Sequence, residues 1–537
     1  MAPANLPTEF KECCLKSAEY PLNLANTMPN TYPSVLRGLS KQFKDRSTQL
    51  FVDSEDDVEV PWRDLGTDSG QSLKKKDIHN SEKLDEMMGL TIDTSSPGGV
   101  VVSSNQQDPQ CRFIYLFGDT TLSVLNITRP MLAKILTYHQ VMPAYLDFIM
   151  AFGQQDEPKD LRFSGFRKQL SLAASAHLPE IAALGRSGRQ YQLCYNLKSI
   201  SIVEDGRFSM IRQEAIHHQF DAITGKTLWI VTAGRRDLQE RYKELTGKDA
   251  KPQDKAFGSP IECLQSSLAA HSMFCSWSTE NWRWYIKSLE NDLEEATRMT
   301  VHGPRGEYHQ MYKPGDLQAL QRHEDVVHEA IAALEANKSI MSSLVKFYAG
   351  LKDNKDFPLK SQSGECIDIF TDYIEDIIND IELQISRAHT LIKITHGRKE
   401  LVTQHFQSQS TENMEKMNRN MERETILVRI VTIVTLIYLP ATFVSKTFFS
   451  TDVIKYQNEQ SDAGSFSHTA MIRWLQVALP LTVLTLLLSW MWNRWAKRRL
   501  QCEDETPQLF IWPFKRRKTA AILPQYNEKP GAPPNQP

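Results

Sequence analysis

Two long apolar runs stand near the C-terminal end of a chain whose remaining pattern is mostly polar. The first covers residues 425–447 and the second covers residues 470–493. About 20 mostly apolar residues are enough for a helix to cross the hydrocarbon of a bilayer. Arg429 and Arg473 lie one turn inside the two runs, where each side chain can extend to the interface. We therefore expect two transmembrane helices joined by an outer loop at 448–469.

Basic residues predict the orientation of these two spans. The short connecting loop holds only Lys446 and Lys455, whereas basic side chains are dense on the other sides of both spans. They are Lys416, Arg419 and Arg423 before the first span, and Arg494, Lys497, Arg498 and Arg499 after the second. Short loops that are rich in Lys and Arg stay in the cytosol. The pattern predicts cytosolic N- and C-termini, with residues 494–537 forming a basic and then disordered tail.

A helical pattern of apolar residues precedes the first span. Apolar side chains recur at steps of three and four from Ile367 to Met421, and no proline interrupts residues 364–439. Such a stripe favours packing of helices against one another, as in a coiled coil. We expect residues 260–424 to form a helical bundle and a stalk, and the stalk helix to be continuous with the first span.

Strand patterns mark a domain at residues 106–259. Runs rich in β-branched and aromatic residues cover 111–117, 191–203, 210–220 and 227–233. A helix is predicted to begin after Thr128, with Pro130 in its first turn, and to continue to residue 152. His217 and His218 share one predicted strand and face opposite ways, so we expect only one to face a core.

The predicted fold class is an α+β cytosolic domain with a mixed sheet and helices, followed by the stalk and the two spans. Residues 1–105 are rich in polar residues and in Pro-Gly punctuation. We interpret them as a partly disordered N-terminal extension with little core of its own.

Composition narrows the class of protein. Apolar residues make up 41% of the 537 positions, so most of the mass is expected in water. The 62 Lys and Arg against 65 Asp and Glu argue against a nucleic-acid partner, which requires a basic excess. The eight cysteines show no zinc-ligand spacing. Because no phosphate-binding, dinucleotide or nucleophile motif is present, we expect no enzyme activity and no cofactor.

One face of the predicted stalk is acidic, with Asp368, Asp372, Glu375 and Asp376 among its residues. A solvated helix face is the simpler interpretation. The alternative is a regulatory divalent-cation site between neighbouring subunits, since hard cations prefer clustered carboxylates.

The layout, together with the run LIYLPATFVSKTFF at 436–449, resembles the CorA superfamily of divalent-cation transporters, in particular its fungal CorA-like branch. Leu439, Pro440, Thr442 and Phe443 match the family's LPxTF pattern. The family's GMN signature is missing. The resemblance implies a homopentamer in a lipid bilayer whose first spans line a pore for Mg²⁺ or a similar divalent cation.

The resemblance also implies site residues. The pore-lining positions are Thr432, Thr435, Leu439, Thr442 and Lys446. The pore mouth falls on Phe449, Ser450, Thr451 and Asp452, because an ungapped count puts the GMN positions at 449–451.

Two functions stay open at this point. The first is a homo-oligomeric transporter or channel for divalent metal cations. The second is a non-conducting sensor or scaffold with the same fold, favoured by the missing GMN and by Lys446. Lys446 follows Leu439 by seven residues and so shares its helix face, where a ring of ammonium groups would repel divalent cations. The sequence does not identify the membrane.

Overall fold

The computed structural model describes residues 6–25, 31–66, 74–93, 101–104, 106–120, 122–154, 162–173, 179–202, 208–247, 250–302, 312–450 and 468–504. The chain divides into two compact units, residues 1–409 and 410–537. The strands are β1 Val60–Leu65, β2 Lys74–Ile78, β3 Leu90–Asp93, β4 Val101–Ser104, β5 Cys111–Phe117, β6 Phe166–Ser171, β7 Gln190–Ile202, β8 Phe208–Asp221 and β9 Thr227–Ala233.

Twelve α-helices are described with them. They are α1 Thr8–Leu15, α2 Pro33–Asp45, α3 Ser47–Leu50, α4 Ser81–Met88, α5 Arg129–Tyr138, α6 Tyr145–Ile149, α7 Asp237–Thr246, α8 Pro260–Thr279, α9 Trp282–His302, α10 Pro314–Asp353, α11 Gly364–Ser450 and α12 His468–Asp504. The predicted strands at 111–117, 191–203, 210–220 and 227–233 are confirmed as β5, β7, β8 and β9.

A seven-stranded sheet organises the first unit, in the order β2-β1-β5-β9-β8-β7-β6. The central pair β5 and β9 is parallel, with Ile114 opposite Ile230, and the other pairs are antiparallel. The predicted mixed sheet is therefore confirmed. A separate two-stranded sheet joins β3 to β4.

Both faces of the large sheet are covered by helices. Alternate residues of β5 enter different cores: Phe113 and Tyr115 pack with the helices α7 to α11, whereas Ile114 and Leu116 pack with α1, α2, α5 and α6. A strand buried on both faces reads as a continuous apolar run rather than an alternating one. This explains the unbroken burial of β5 and β9.

The expectation that residues 1–105 have little core of their own is wrong for the residues described there. Phe10, Phe43, Trp62 and Leu84 are fully buried in the second core. Trp62 lies in β1, which pairs with β5 and so belongs to the main sheet. Strand β1 was not predicted because the segment is polar and rich in Pro and Gly, and because its partner β5 is distant in the sequence.

The helix predicted from residue 129 to 152 is interrupted. It begins as expected, because the Thr128 hydroxyl accepts a hydrogen bond from the Met131 amide, but α5 ends at Tyr138. Gln140 then adopts a left-handed φ of 52°. Pro143, which lacks an amide hydrogen and disfavours helical backbone before it, separates α5 from α6.

Both His217 and His218 are fully buried, which corrects the expectation that only one would face a core. His218 stacks on Trp229 at 4.0 Å between ring centroids. His271 of α8 lies beside it, with its Nε2 3.1 Å from His218 Nδ1 and its Nδ1 2.7 Å from the Tyr195 hydroxyl. The largest number of these polar atoms is satisfied when the Tyr195 hydroxyl donates to His271 Nδ1 and His271 Nε2 donates to His218 Nδ1.

Burial keeps these histidines neutral. It lowers the pKa of His217 and of His271 to about 3. Burial, reinforced by His271 and His217, also lowers the pKa of His218 well below its ordinary value. Because the unfolded chain binds protons near pH 6.5, each histidine makes the unfolded state more favourable as the pH falls below that value.

Replacing His217 with Leu is therefore expected to flatten the acid dependence of stability. In the variant, the free energy of unfolding should decrease less steeply as the pH falls below 6. The slope should differ from that of the wild type by about 1.4 kcal/mol per pH unit, because the unfolded chain has lost one protonation site. His217→Leu places an apolar side chain without an ionisable group at this fully buried position. Urea unfolding at several pH values measures the slope. His389→Leu, at an exposed position of α11, is the control and should leave the slope unchanged.

Candidate functional site

The second unit contains the two apolar helical segments. Within the described residues, the C-terminal part of α11 up to Lys446 and the segment Met471–Trp492 of α12 are long and apolar enough to cross a membrane. Their apolar side chains are almost all exposed in the single chain, as expected where lipid or other subunits replace water.

The two helices touch along one side of α11. Pro440 and Val444 are buried there, and Ala478 of α12 is buried as well. The Trp474 indole Nε1 donates a hydrogen bond of 2.9 Å to the Ser445 hydroxyl. At about 100° per residue, Pro440, Val444 and Ser445 span an arc of roughly 140° around the helix axis.

The opposite side of α11 carries the predicted pore-lining residues. Thr432, Thr435, Leu439, Thr442 and Lys446 all fall within an arc of about 80°, centred roughly 180° from the contact with α12. All five are exposed. Thr425 lies next to the same arc, so four threonines face one side of the first span. The predicted pore-lining face is therefore the side of α11 that α12 leaves open.

Each of these threonine hydroxyls donates its hydrogen to the helix itself. The Oγ1 atoms of Thr425, Thr432 and Thr435 lie 2.7, 2.7 and 2.8 Å from the carbonyl oxygens four residues earlier. Thr442 lies 3.0 Å from the carbonyl oxygens of both Tyr438 and Leu439. Such bonds are common for threonine in apolar helices.

The bonding pattern decides what the threonine face can contact. A hydroxyl has one hydrogen to donate and two lone pairs that accept. Because the hydrogen is already used, the remaining capacity is for accepting hydrogen bonds or for contacting a cation. Water around a cation points its hydrogens outward and so matches this face, whereas water around an anion does not.

The structure describes only part of the predicted pore mouth. Phe449 and Ser450 are the last residues of α11, and their side chains are not among those described. Thr451 and Asp452 lie outside the described residues. The mouth assignment therefore stays a prediction.

The acidic residues of the stalk helix lie on exposed positions of α11. Asp368 is paired with Lys352, whose Nζ lies 2.7 Å from both carboxylate oxygens. Asp372, Glu375 and Asp376 are exposed. Among the described residues of one chain, no group of three or more His, Cys, Asp or Glu side chains is arranged to hold a metal ion. A site shared between subunits stays a prediction.

The structure also contains a buried ionic cluster that the sequence did not predict. Arg112 forms two hydrogen bonds of 2.9 Å to Asp64, and Arg186 Nε lies 2.6 Å from Asp108. The neighbouring guanidinium groups hold the pKa of Asp108 far below its usual value, despite burial that acts the other way. These residues are scattered from position 64 to 186, so no local motif marks them.

Comparison with known proteins identifies the family. The model of the CorA-like family, described as CorA-like transporters, matches residues 12–301. The chain belongs to the CorA-like family. Together with the two apolar helices, this membership makes it an integral membrane protein of a transporter family. The matched region begins at residue 12 and so includes most of the segment 1–105, in agreement with the core contacts found there.

Solved structures also match this CorA-like chain. The complete CorA magnesium transporter from Methanocaldococcus jannaschii is 13% identical over 80% of this chain and 97% of its own, with a TM-score of 0.32. The full-length CmaX protein is 10% identical over 84% and 100%, with a TM-score of 0.29. The soluble domain of the Methanocaldococcus jannaschii CorA is 12% identical over 65% and 97%, with a TM-score of 0.31. No curated protein matches the chain.

Proposed function

We propose that this CorA-like protein is a homo-oligomeric membrane transporter or channel for divalent metal cations, Mg²⁺ or a similar ion, with a pore lined by the first span. Two spans cannot enclose a water-filled path within one chain, so each subunit contributes one α11 helix to a shared axis. The family resemblance favours five subunits, cytosolic termini and a mouth at residues 449–452.

The threonine face of α11 carries this proposal. It lies away from the contact with α12, so it is free to face the axis of an oligomer while α12 lies outside. Its hydroxyl oxygens offer acceptors only, which suits a cation that keeps part of its water shell. Mg²⁺ binds its water tightly and usually keeps several molecules of it.

Loss of these acceptors is expected to slow Mg²⁺ flux. Val has nearly the shape of Thr, so Thr432→Val or Thr435→Val removes the hydroxyl and preserves packing. An acceptor worth about 1 kcal/mol corresponds to a roughly fivefold loss of flux for each substitution. The measurement is Mg²⁺ entry into liposomes that contain the purified protein and a Mg²⁺-sensitive dye.

Thr482→Val in α12 provides the matched control. The Thr482 hydroxyl donates to its own helix in the same manner, with 2.8 Å to the Leu479 oxygen. It should leave flux unchanged. No flux of any divalent cation through the wild-type protein, with oligomers confirmed by mass measurement, would overturn the transporter proposal.

A non-conducting sensor or scaffold is the second candidate function. The observation that favours it is Lys446, which is exposed on the same arc of α11 as Leu439 and Thr442. An uncompensated ring of ammonium groups on the axis would oppose the entry of any divalent cation. Robust wild-type Mg²⁺ flux in the liposome experiment would exclude this candidate.

A further inference from the structure

A small cavity lies beside the buried ionic cluster of the first unit, and it has a volume of about 30 Å³. A space of this size holds one or two water-sized groups, because a single water needs roughly 10–15 Å³. The walls include three cationic side chains, two carboxylates and one imidazole, which belong to Arg112, Arg186, Lys226, Asp108, Asp221 and His139. The way these charges are paired determines which group the cavity favours.

The two guanidinium groups already have counter-charges. Both oxygens of Asp64 bind Arg112, and Asp108 binds Arg186. Each pair sums to zero charge, so neither pair by itself attracts a further ion.

The carboxylate of Asp221 is held by neutral donors. Its Oδ2 accepts a hydrogen bond of 2.7 Å from the Ser187 amide, and its Oδ1 accepts one of 2.8 Å from the Ser187 hydroxyl. The amides of Ile223 and Thr224 also donate to Oδ1, at 3.0 and 2.9 Å. A carboxylate has about four lone-pair sites, so these four donors leave Asp221 little capacity to bind Lys226.

Lys226 is the cation of the cavity without a carboxylate partner. Its Nζ donates to the Asp108 backbone carbonyl oxygen, and in the described part of the chain no carboxylate oxygen lies within ion-pair distance of it. Burial lowers the pKa of Lys226, although the Asp108 carboxylate acts in the opposite direction. An ammonium group has three hydrogens, so two of them remain for a ligand.

His139 supplies a further donor. Its Nδ1 lies 3.4 Å from Arg186 Nη2, and a guanidinium only donates, so Nδ1 accepts and the hydrogen lies on Nε2. The side chain is 4% exposed, and Nε2 has no hydrogen-bond partner among the residues described. Burial, together with Arg186 and Arg112, lowers the pKa of His139 well below its ordinary value, so the ring is neutral.

We propose that this cavity binds one small inorganic anion of the chloride class, with the Lys226 ammonium and the His139 Nε2–H as its donors. Such an ion accepts hydrogen bonds from both groups and supplies the counter-charge that a partly buried ammonium requires. Water could accept the same bonds but would leave the charge unbalanced. The small volume favours a monatomic ion over phosphate or sulfate. The site lies in the 1–409 unit and does not depend on the proposed pore.

The test measures hydrogen exchange of the full-length protein in detergent while chloride replaces gluconate at constant sodium concentration and ionic strength. Gluconate is too large for the cavity and serves as the reference anion. Peptides that contain residues 137–141 and 222–227 should exchange more slowly as chloride rises, and the effect should saturate. At a chloride concentration ten times its Kd, exchange through opening of the cavity should be about elevenfold slower. Bromide, which has the same charge and a similar size, should act in the same way.

Two controls separate site binding from a general salt effect. Peptides from α10, which contributes no residue to the cavity walls, should exchange at the same rate in both salts. Lys226→Met should abolish the chloride dependence. Lys134→Met is the matched variant, because the Lys134 ammonium is paired with Asp85 at 2.8 Å, and it should retain the full dependence. Each variant is compared with itself in the two salts, so a change in its overall stability does not affect the result.

Three outcomes would overturn the proposal. The first is equal exchange of the wild-type protein in chloride and gluconate, which would mean that the cavity holds water only. The second is a chloride effect that does not saturate or that extends equally to α10. The third is an unchanged chloride dependence in Lys226→Met. If that variant does not fold, the wild-type titration alone decides. The readout is binding in the 1–409 unit and not flux, so failure here leaves the transporter proposal untouched, and the reverse also holds.

Discussion

Replacing Asp108 with Asn is expected to lower the free energy of unfolding of the 1–409 unit by about 3–5 kcal/mol. Asp108 is the carboxylate bound to Arg186, with 2.6 Å between Oδ2 and Nε, and both side chains are nearly inaccessible to water. The neutral amide would leave the Arg186 guanidinium buried without a counter-charge. Removing one partner of a buried pair costs far more than the pair contributes when intact.

The cluster also links segments that are far apart in the sequence. Arg186 donates to the Tyr138 carbonyl oxygen at the end of α5, at 2.6 Å, and the Tyr138 hydroxyl lies 3.3 Å from Asp108. Lys226, just before β9, donates to the Asp108 carbonyl oxygen. Loss of the carboxylate should therefore loosen α5 and β5 together. Hydrogen exchange of peptides from these two elements measures the change.

Two variants test the cause of this destabilisation. Asp85→Asn breaks the partly exposed pair with Lys134, which has an N–O distance of 2.8 Å, and should cost less than about 1 kcal/mol. Asp108→Asn combined with Arg186→Met removes the stranded charge and should recover part of the loss. If the double variant is as unstable as Asp108→Asn alone, the unpaired guanidinium is not the cause.

Local pattern was sufficient to predict the central part of the fold. The strand β9 is a run of apolar and β-branched residues bounded by turn residues, and Thr128 with Pro130 marks the start of α5. The proline-free run at 364–439 and the apolar run at 425–447 predicted one continuous helix, and α11 extends from Gly364 to Ser450. These features depend on neighbouring residues, and the sequence displays them directly.

Features that depend on distant partners were not predictable in the same way. Trp62 lies in a short strand whose partner is 52 positions away at Ile114, and its surroundings in the sequence are polar. His217 and His218 could be placed on one strand, but nothing nearby showed that helices cover both faces of the sheet. The Asp108–Arg186 pair likewise joins residues that only the folded chain brings together.

The candidate site was partly predictable because it lies on a single helix. Helical spacing alone places Thr432, Leu439 and Lys446 on one face. It could not show which face of α11 is occupied by α12, since that depends on the pairing of Trp474 with Ser445. The bonds that occupy the threonine hydrogens, and hence the acceptor character of the face, also required the structure.

Removing the charge of Lys446 is expected to raise divalent-cation flux at least tenfold if α11 lines the pore. An ammonium group about 6 Å from a divalent ion opposes it by about 5 kcal/mol at an effective dielectric constant near 20. Part of this repulsion is relieved if the side chain extends to the outer interface. Lys446→Met retains an unbranched side chain of similar length and removes the charge. Mg²⁺ entry into liposomes measures the effect.

Two further variants, Lys446→Arg and Arg473→Met, test whether the charge at position 446 itself controls the flux. Lys446→Arg retains the charge on the pore face and should leave Mg²⁺ flux close to the wild-type value. Arg473 is exposed on α12, so Arg473→Met removes a basic charge from the other span and should have little effect. Flux that appears only in Lys446→Met would show that the native pore is closed by this lysine. Unchanged flux in a conducting protein would place Lys446 off the ion path, and absence of flux in every variant would favour the scaffold function.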